Sequence, residues 1–403
     1  MGHWAGAERG AGWAEDGGQR RACRAGAERA KPRGAGPLWE QGGLPGAAPA
    51  LPVPPPLGPA PSPERAACQV GGQLTGAHSN SSPVRAGPPL VFSDVRATAP
   101  VAWARGEQSA VLPMQLLGLD VDPVETVQFS NHTGYPTARG SILDGAGFIE
   151  LIDGLDENGL LDGYSHLLTG YVGRPCLLQK VVEVLQRLKE KNPEIVYVCD
   201  PVMGDNGAFY VKPEVAAMYR ESVVPLATVV TPNQFELEQL TGMQVHSKED
   251  AFKAIDALHA LGPRTVIVSS LFLPEKEGTV VVAGSTVEAQ EGGESKQFCV
   301  EVPMLEGYYT GTGDLFAALS LAWMHRLPGQ AHRATRLVVA TIQAVLHRTA
   351  AARGSVGRMS LSEKSAAASA AMELRLVESI DDIRFPPELG GFSSTRLPRV
   401  RPV

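Results

Sequence analysis

The stretch "YYTGTGDLFAALSLAW", residues 308 to 323, sets an acid behind a glycine-bracketed run of hydroxyls, at the start of an apolar helix. Glycines allow a ligand close to the backbone, and a helix start offers free amides and the positive end of its dipole. Amides of Gly311, Thr312, Gly313 and Asp314 could therefore surround a phosphoryl group as its charge develops. Asp314, within reach of a substrate hydroxyl, would act as general base. The ordinary alternative is a capping Asp or Thr in a glycine-rich turn, and for this stretch alone that alternative is the stronger one.

Three further stretches carry polar groups suited to the same chemistry. "VCDPVMGD" (198–205) holds Asp200 and Asp205, hard oxygen ligands for a cation and phosphate, although Asp-Pro and Gly-Asp are also turn dipeptides. "TPNQFELEQLTG" (231–242) places Thr231 and Asn233 before a helix and Glu236 in its first turn, where an acid also serves simply to stabilise the helix. "VQFSNHTGYPT" (127–137) mixes Phe129, His132, Thr133 and Tyr135, aromatic surface and donors appropriate for a flat heteroaromatic ring.

The elements that must position these residues alternate in type. "FIELIDGL" and "CLLQKVVEVLQRLKEKNP" have helical apolar spacing, as do "QFELEQLTG" and "KEDAFKAIDALHALGP". Between them "HLLTGY", "EIVYVCD", "TVVTPN" and "TVIVSS" are short β-rich runs ending in polar residues. Near-continuous apolar strands alternating with helices predict an α/β fold with a mostly parallel sheet covered on both faces. Ligands in such sheets sit at the C-terminal strand ends, which here carry Thr169, Asp200, Asn233, Ser269 and Ser270. "GTVVVAG" (278–284) is a further strand, and 275–298 is expected to be either a flap or a hairpin.

Composition sets the limits. The 403 residues are 43% hydrophobic and 20% charged, enough for one or two sizeable cores. Residues 1–88 contain no Ile, Phe or Tyr and are dominated by Gly, Ala, Pro and Arg, so 1–90 reads as a disordered leader. A net charge of −7 without a basic stripe argues against nucleic acid as partner, and no apolar run reaches the length of a membrane span. Five cysteines without CxxC spacing fit a reducing, cytoplasmic setting. Neither a GxxxxGK[ST] loop nor a strand-linked GxGxxG is present, so a nucleotide would bind by another arrangement.

Taken in order, "SAVLPMQLLGLDVDPVETVQFSNHTGYPT", "LLTGYVG", "VYVCDPVMGD", "VVPLATVVTPNQFELEQLTG", "YYTGTGDLFAALSLAW" and "MELRLVESIDDI" resemble the pyridoxal kinase family of the ribokinase-like superfamily, over about residues 109–384. The resemblance implies a three-layer sandwich in a catalytic domain at 91–385, followed by a loose tail at 386–403. It implies ATP-dependent phosphorylation of the 5′-hydroxymethyl group of pyridoxal, pyridoxine or pyridoxamine, with Mg²⁺ or another divalent cation, K⁺ or Na⁺, and a homodimer. Asp314 then resembles the catalytic base, with Gly311, Thr312 and Gly313 as the anion hole. Asp200, Asn233, Glu236, Ser269, Ser270, Leu305, Glu306, Gly307 and Thr312 match the nucleotide side. Asp205, Asp200, Thr231 and Ser269 match the cation side. Thr133, Phe129 and Tyr171 match the vitamin pocket, together with Gly311 and Asp314.

The resemblance fails at the front, where family members begin with a core strand that contributes a serine to the pyridine ring. A gap-free count puts Thr98 opposite that serine and Asp94 and Arg96 on a buried strand, so the first strand is expected to be degraded or replaced. Hydroxymethylpyrimidine kinases of the same superfamily share the acid-bearing helix start and are the nearest rival. A non-catalytic relative that binds nucleotide or vitamin is the rival from another class.

Overall fold

Successive side chains along each inner strand enter different cores. In the computed structural model Leu167, Tyr197, Val230, Val266 and Val268 belong to one hydrophobic cluster, whereas Leu168, Val198, Val229 and Ile267 belong to another. A strand alternates its side chains between two faces, so both faces of this sheet are buried, as the continuous apolar strands predicted. The structure describes residues 89–95, 105–287, 295–307, 309–352, 366–389 and 394–396.

The strands are β1 (Pro89–Val95), β2 (Asp122–Phe129), β3 (Gly140–Ile142), β4 (His166–Thr169), β5 (Val196–Cys199), β6 (Gly204–Asp205), β7 (Ala208–Phe209), β8 (Val229–Val230), β9 (Thr265–Leu271), β10 (Thr279–Val287), β11 (Ser295–Pro303) and β12 (Ser394–Arg396). Ten of them form one sheet in the order β12-β11-β10-β9-β8-β5-β4-β1-β2-β3, and β6 and β7 make a separate hairpin. From β2 across to β9 the neighbours run parallel, and the two edges are closed by antiparallel pairs.

Helices α1 (Arg105–Leu116), α7 (Thr312–Arg326), α8 (Ala331–Ala352) and α10 (Ile380–Arg384) supply one face. The other takes α2 (Gly145–Glu157), α3 (Pro175–Lys191), α4 (Pro213–Met218), α5 (Gln234–Thr241) and α6 (Lys248–His259). A short α9 (Ala366–Ala371) precedes the last segment. Local chemistry sets the helix ends: Asp144 and Ser247 cap α2 and α6 through their side chains, Pro175 opens α3, and Gly242 closes α5 in the left-handed region at φ 72°. The result is helices–sheet–helices, the three layers of the ribokinase-like expectation.

The front of the chain departs from the gap-free count. The first strand is present, but it is drawn from Pro89–Val95, upstream of Thr98, and it lies between β2 and β4 in the middle of the parallel region. Its pairing with β4 spans Pro89–Phe92, the apolar half, while the register against β2 shifts between Ser93 and Val95. Asp94 therefore falls past the paired positions of β4, at the C-terminal end of the strand, so the doubly flanked stretch carries no charge. Arg96 and Thr98 lie outside the described residues, as does the leader to 88. The 275–298 segment is a hairpin, β10 against β11, with 288–294 outside the described residues. The stretch read as a tail contributes Ser394–Arg396 as an edge strand on β11.

Candidate active site

The backbone ladder continues past the ends of the parallel strands and fixes the residues that follow them. Asp200 donates its amide to the Thr169 carbonyl (2.9 Å), Thr231 to Cys199 (3.0 Å) and Ser269 to Pro232 (2.8 Å). Polar residues of four separate chain segments are thereby held along one sheet edge. Below them Thr169 Oγ1 and the Tyr197 hydroxyl are 2.8 Å apart, which satisfies both buried groups.

Helix α5 begins with a capping box. Asn233 Oδ1 accepts from the Glu236 amide and Glu236 Oε2 accepts from the Asn233 amide, each at 2.9 Å. The remaining polar atoms of both side chains hold the next loop: Met203 N donates to Glu236 Oε1 (2.9 Å), and Asn233 Nδ2 donates to the Gly204 carbonyl (2.8 Å). The held loop is the β6–β7 hairpin, whose tip Asn206–Gly207 has positive φ at both residues (50° and 77°). Asp205, at the root of that tip, is thereby presented to the cavity. Glu236 lines the same cavity but uses both its oxygens on backbone donors.

The start of α7 is not capped by its acid. The cap position is Gly311 at φ 87°, with no side-chain cap bond, and Asp314 stands three residues in. Thr312 Oγ1 is turned back onto the Tyr309 carbonyl (2.9 Å). Glycine is required at 311 on two counts, because φ is left-handed and a β-carbon there would stand 2.8 Å from Ser109 Oγ. Glycines also open the space around the acids. A β-carbon at Gly170 would stand 3.5 Å from Asp314 Oδ1, and one at Gly313 would stand 3.7 Å from Asp200 Oδ2. Asp314 and Asp200 both line the cavity beside the helix start, close enough for the charge of Asp314 to act on Asp200.

Among the described residues that line it, this end of the cavity carries acids and no Lys or Arg. Burial, then the charges of Glu236 and Asp314, push the Asp200 carboxyl well above the usual range. Glu236 is pushed up to about 8 by burial, against the backbone donors of Asn233, Met203 and Gly204 that favour its charge. Those donors make Glu236 the better holder of the negative charge, and Asp200 the group that seeks a proton or a cation. Asp200 Oδ2 and Thr231 Oγ1 are buried without a hydrogen-bond partner among the described residues. These oxygen donors fit a hard cation. No group of three His, Cys, Asp or Glu among the described residues forms a ready-made metal cage. The donor set thus fits a cation whose coordination is completed by phosphate and water, the usual manner for Mg²⁺.

A cavity of about 580 Å³ joins these groups. Of the residues anticipated from sequence, Asp200, Asp205, Asn233, Glu236, Ser269, Ser270, Gly307, Gly311, Thr312, Gly313 and Asp314 line it. Thr231, Leu305 and Glu306 lie outside the lining, and so do Phe129, Thr133 and Tyr171. Thr133 is exposed, and Tyr171 packs against the lower core with its hydroxyl over Gly173. On that side the wall is His132 with Ser109, Thr310, Glu373 and Leu374. At the opposite end Phe272, Val280, Val302, Met304 and Ile342 form an apolar arm beyond Ser269 and Ser270. Ser109 and Glu373 lie within stretches that carry the family resemblance, but nothing in their spacing announces chemistry.

The chain is 45% identical to the pyridoxal kinase of Arabidopsis thaliana over 281 residues, 70% of this chain and 87% of the relative. It is 40% identical to the human pyridoxal kinase over 290 residues, 70% of this chain and 91% of that one. The chain belongs to the pyridoxal kinase family. It is accordingly a kinase of the ribokinase-like class. The structure of the Leishmania donovani pyridoxal kinase in complex with ADP and pyridoxamine matches with a TM-score of 0.67 at 30% identity, covering 77% of this chain and 99% of the other. A model of the phosphomethylpyrimidine kinase family matches residues 168–356, from β4 to beyond α8.

Proposed function

We propose that this chain transfers the γ-phosphoryl group of ATP to the 5′-hydroxymethyl group of pyridoxal, pyridoxine or pyridoxamine, with Asp314 as general base. The observation that carries the roles is the convergence of Asp314 and Asp200 beside a helix start whose cap is a glycine. In this reading the vitamin ring lies on the His132 and Ser109 side, and the adenine lies in the apolar arm beyond Ser269 and Ser270. The hydroxyl meets Asp314 between them. Asp314 takes the hydroxyl proton as the oxygen attacks phosphorus. Amides of Gly311, Thr312 and Gly313 receive the charge that develops on the transferred group, where fixed donors need no reorganisation. The glycine turn sets their direction and the buried flank of α7 keeps it rigid.

Asp205 and Asp200 are the side chains suited to a divalent cation, and Asp200, Thr231 and Ser269 to a monovalent one. A cation bound there would offset the charge of these acids and screen the nucleotide phosphates. Glu236 and Asn233 serve this end by holding the β6–β7 hairpin in place. The family resemblance supports a homodimer acting in the cytoplasm. Among the described residues no helix is long and apolar enough to cross a membrane.

The match to the phosphomethylpyrimidine kinase model favours a second substrate, a hydroxymethylpyrimidine. Transfer of labelled phosphate from ATP to each candidate acceptor separates the two. The three vitamers are expected to be labelled far faster than the pyrimidine, and the reverse order would overturn the assignment.

A further inference from the structure

One carboxylate outside the acid cluster joins three segments of the cavity wall. Glu373 is almost fully buried and lines the cavity on the side away from the nucleotide arm. Its backbone bridges to Thr310, the residue directly before the Gly311 turn. Its Oε1 accepts a hydrogen bond from the Tyr135 hydroxyl at 2.9 Å and lies 3.8 Å from His132 Nε2. One turn earlier in the same segment, Ser369 Oγ donates to the Gly134 carbonyl at 3.0 Å. The 130–137 loop is thus tied twice to the segment that leads out of α9.

The network also decides how His132 stands. Its Nδ1 accepts from the Gly134 amide (3.1 Å), so the proton of the neutral ring belongs on Nε2, the nitrogen turned toward Glu373. At 3.8 Å that contact is too long for a hydrogen bond, yet inside a buried wall the carboxylate still attracts a ring N–H. Tyr135 meets the ring edge-on, centroids 4.6 Å apart at 65°. A β-carbon at Gly134 would stand 2.8 Å from the ring, so glycine at 134 leaves the ring its place and any side chain there would displace it. Both nitrogens are directed at protein, which leaves the imidazole to the cavity as a flat wall at a fixed angle.

We propose that Glu373 is a positioning residue for vitamin recognition: through Tyr135 and His132 it fixes the wall against which the pyridine ring lies. The proposal rests on the assignment of this side of the cavity to the vitamin. It differs from a general stabilising role because its effect falls on one substrate only.

The test is calorimetric binding of pyridoxal and of ATP, alongside steady-state kinetics, with Glu373→Ala, Glu373→Gln, Tyr135→Phe and the Tyr135→Phe/Glu373→Ala double variant. Glu373→Ala is expected to weaken pyridoxal binding and raise its KM about tenfold, the scale of a lost hydrogen bond to a charged acceptor, with the ATP values within about twofold of wild type. Glu373→Gln keeps an acceptor for the Tyr135 hydroxyl and should restore most of the loss. Tyr135→Phe should weaken pyridoxal binding, and adding it to Glu373→Ala should add little, because both remove the same link. Equal losses for ATP and pyridoxal would overturn the proposal, as would full additivity in the double variant. If Glu373→Ala fails to fold, Glu373→Gln and Tyr135→Phe decide alone, and wild-type pyridoxal affinity in Tyr135→Phe overturns it. Wild-type protein that binds ATP but no vitamer would instead sink the assignment of this side.

Discussion

The two ends of the cavity, assigned above to phosphate and to vitamin, are built in different ways. Asp200, Asn233 and the run Gly311–Asp314 each come from one contiguous stretch at a strand end or helix start, fixed by ladder bonds and a capping box. The vitamin side is joined by contacts between residues far apart in sequence, such as Tyr135 with Glu373, 238 positions away. One end is held mainly by backbone ladder and capping bonds, and the other by side-chain contacts between segments far apart in sequence. Changes at the first should therefore act on the chemical step, and changes at the second on binding of one substrate.

The largest effect expected concerns β1, which the sequence order alone misplaces. A chain beginning at Arg105 lacks the strand between β2 and β4, and leaves both with unpaired backbone groups in the sheet centre. Such a chain should fail to unfold cooperatively in thermal denaturation. A sharp transition close to that of the full chain would show that β1 is dispensable, and would remove the vitamin side's dependence on the wider fold. Next in size, Asp314→Ala should lower kcat by about 10² to 10⁴ while ATP affinity stays close to wild type. An equal loss of ATP binding would turn Asp314 from base into nucleotide ligand and blur the contrast between the two ends.

The smallest effect is on stability against pH. Burial raises Glu236 from 4.5 to about 8, so the folded protein holds that proton more readily than the unfolded chain. Its contribution to stability is complete below about 4.5 and is lost as pH rises through about 8. In buffer free of divalent and potassium ions, Tm should therefore fall more steeply across this interval for wild type than for Glu236→Gln. Parallel slopes would mean that the buried acids of the phosphate end are already compensated within the protein.

Much of this was legible in the residues themselves. Alternation of apolar strands and amphipathic helices gave the layers, because period-2 and period-3.6 patterns are local. The acids and glycines of the phosphate end were legible for the same reason. Phe129, Thr133 and Tyr171 fall outside the lining of the cavity, since a family motif marks a neighbourhood and leaves each side chain's direction open. Glu373 escaped notice because its partners are set only when the segment after α9 packs against the 130–137 loop. Glu236 shows the opposite case: its helix-capping role, visible from its first-turn position, takes one oxygen, and the backbone of Met203 takes the other. The first strand was misplaced because a count without gaps cannot absorb a change in the length of a connection.

Everything above requires that this chain's own β1 and its acid-bearing helix start complete a working vitamin kinase. Formation of pyridoxal 5′-phosphate by the purified full-length chain, followed by absorbance with ATP, Mg²⁺, K⁺ and pyridoxal, tests it directly. Steady product formation that requires ATP is expected. No product from a folded chain that binds both substrates would contradict it.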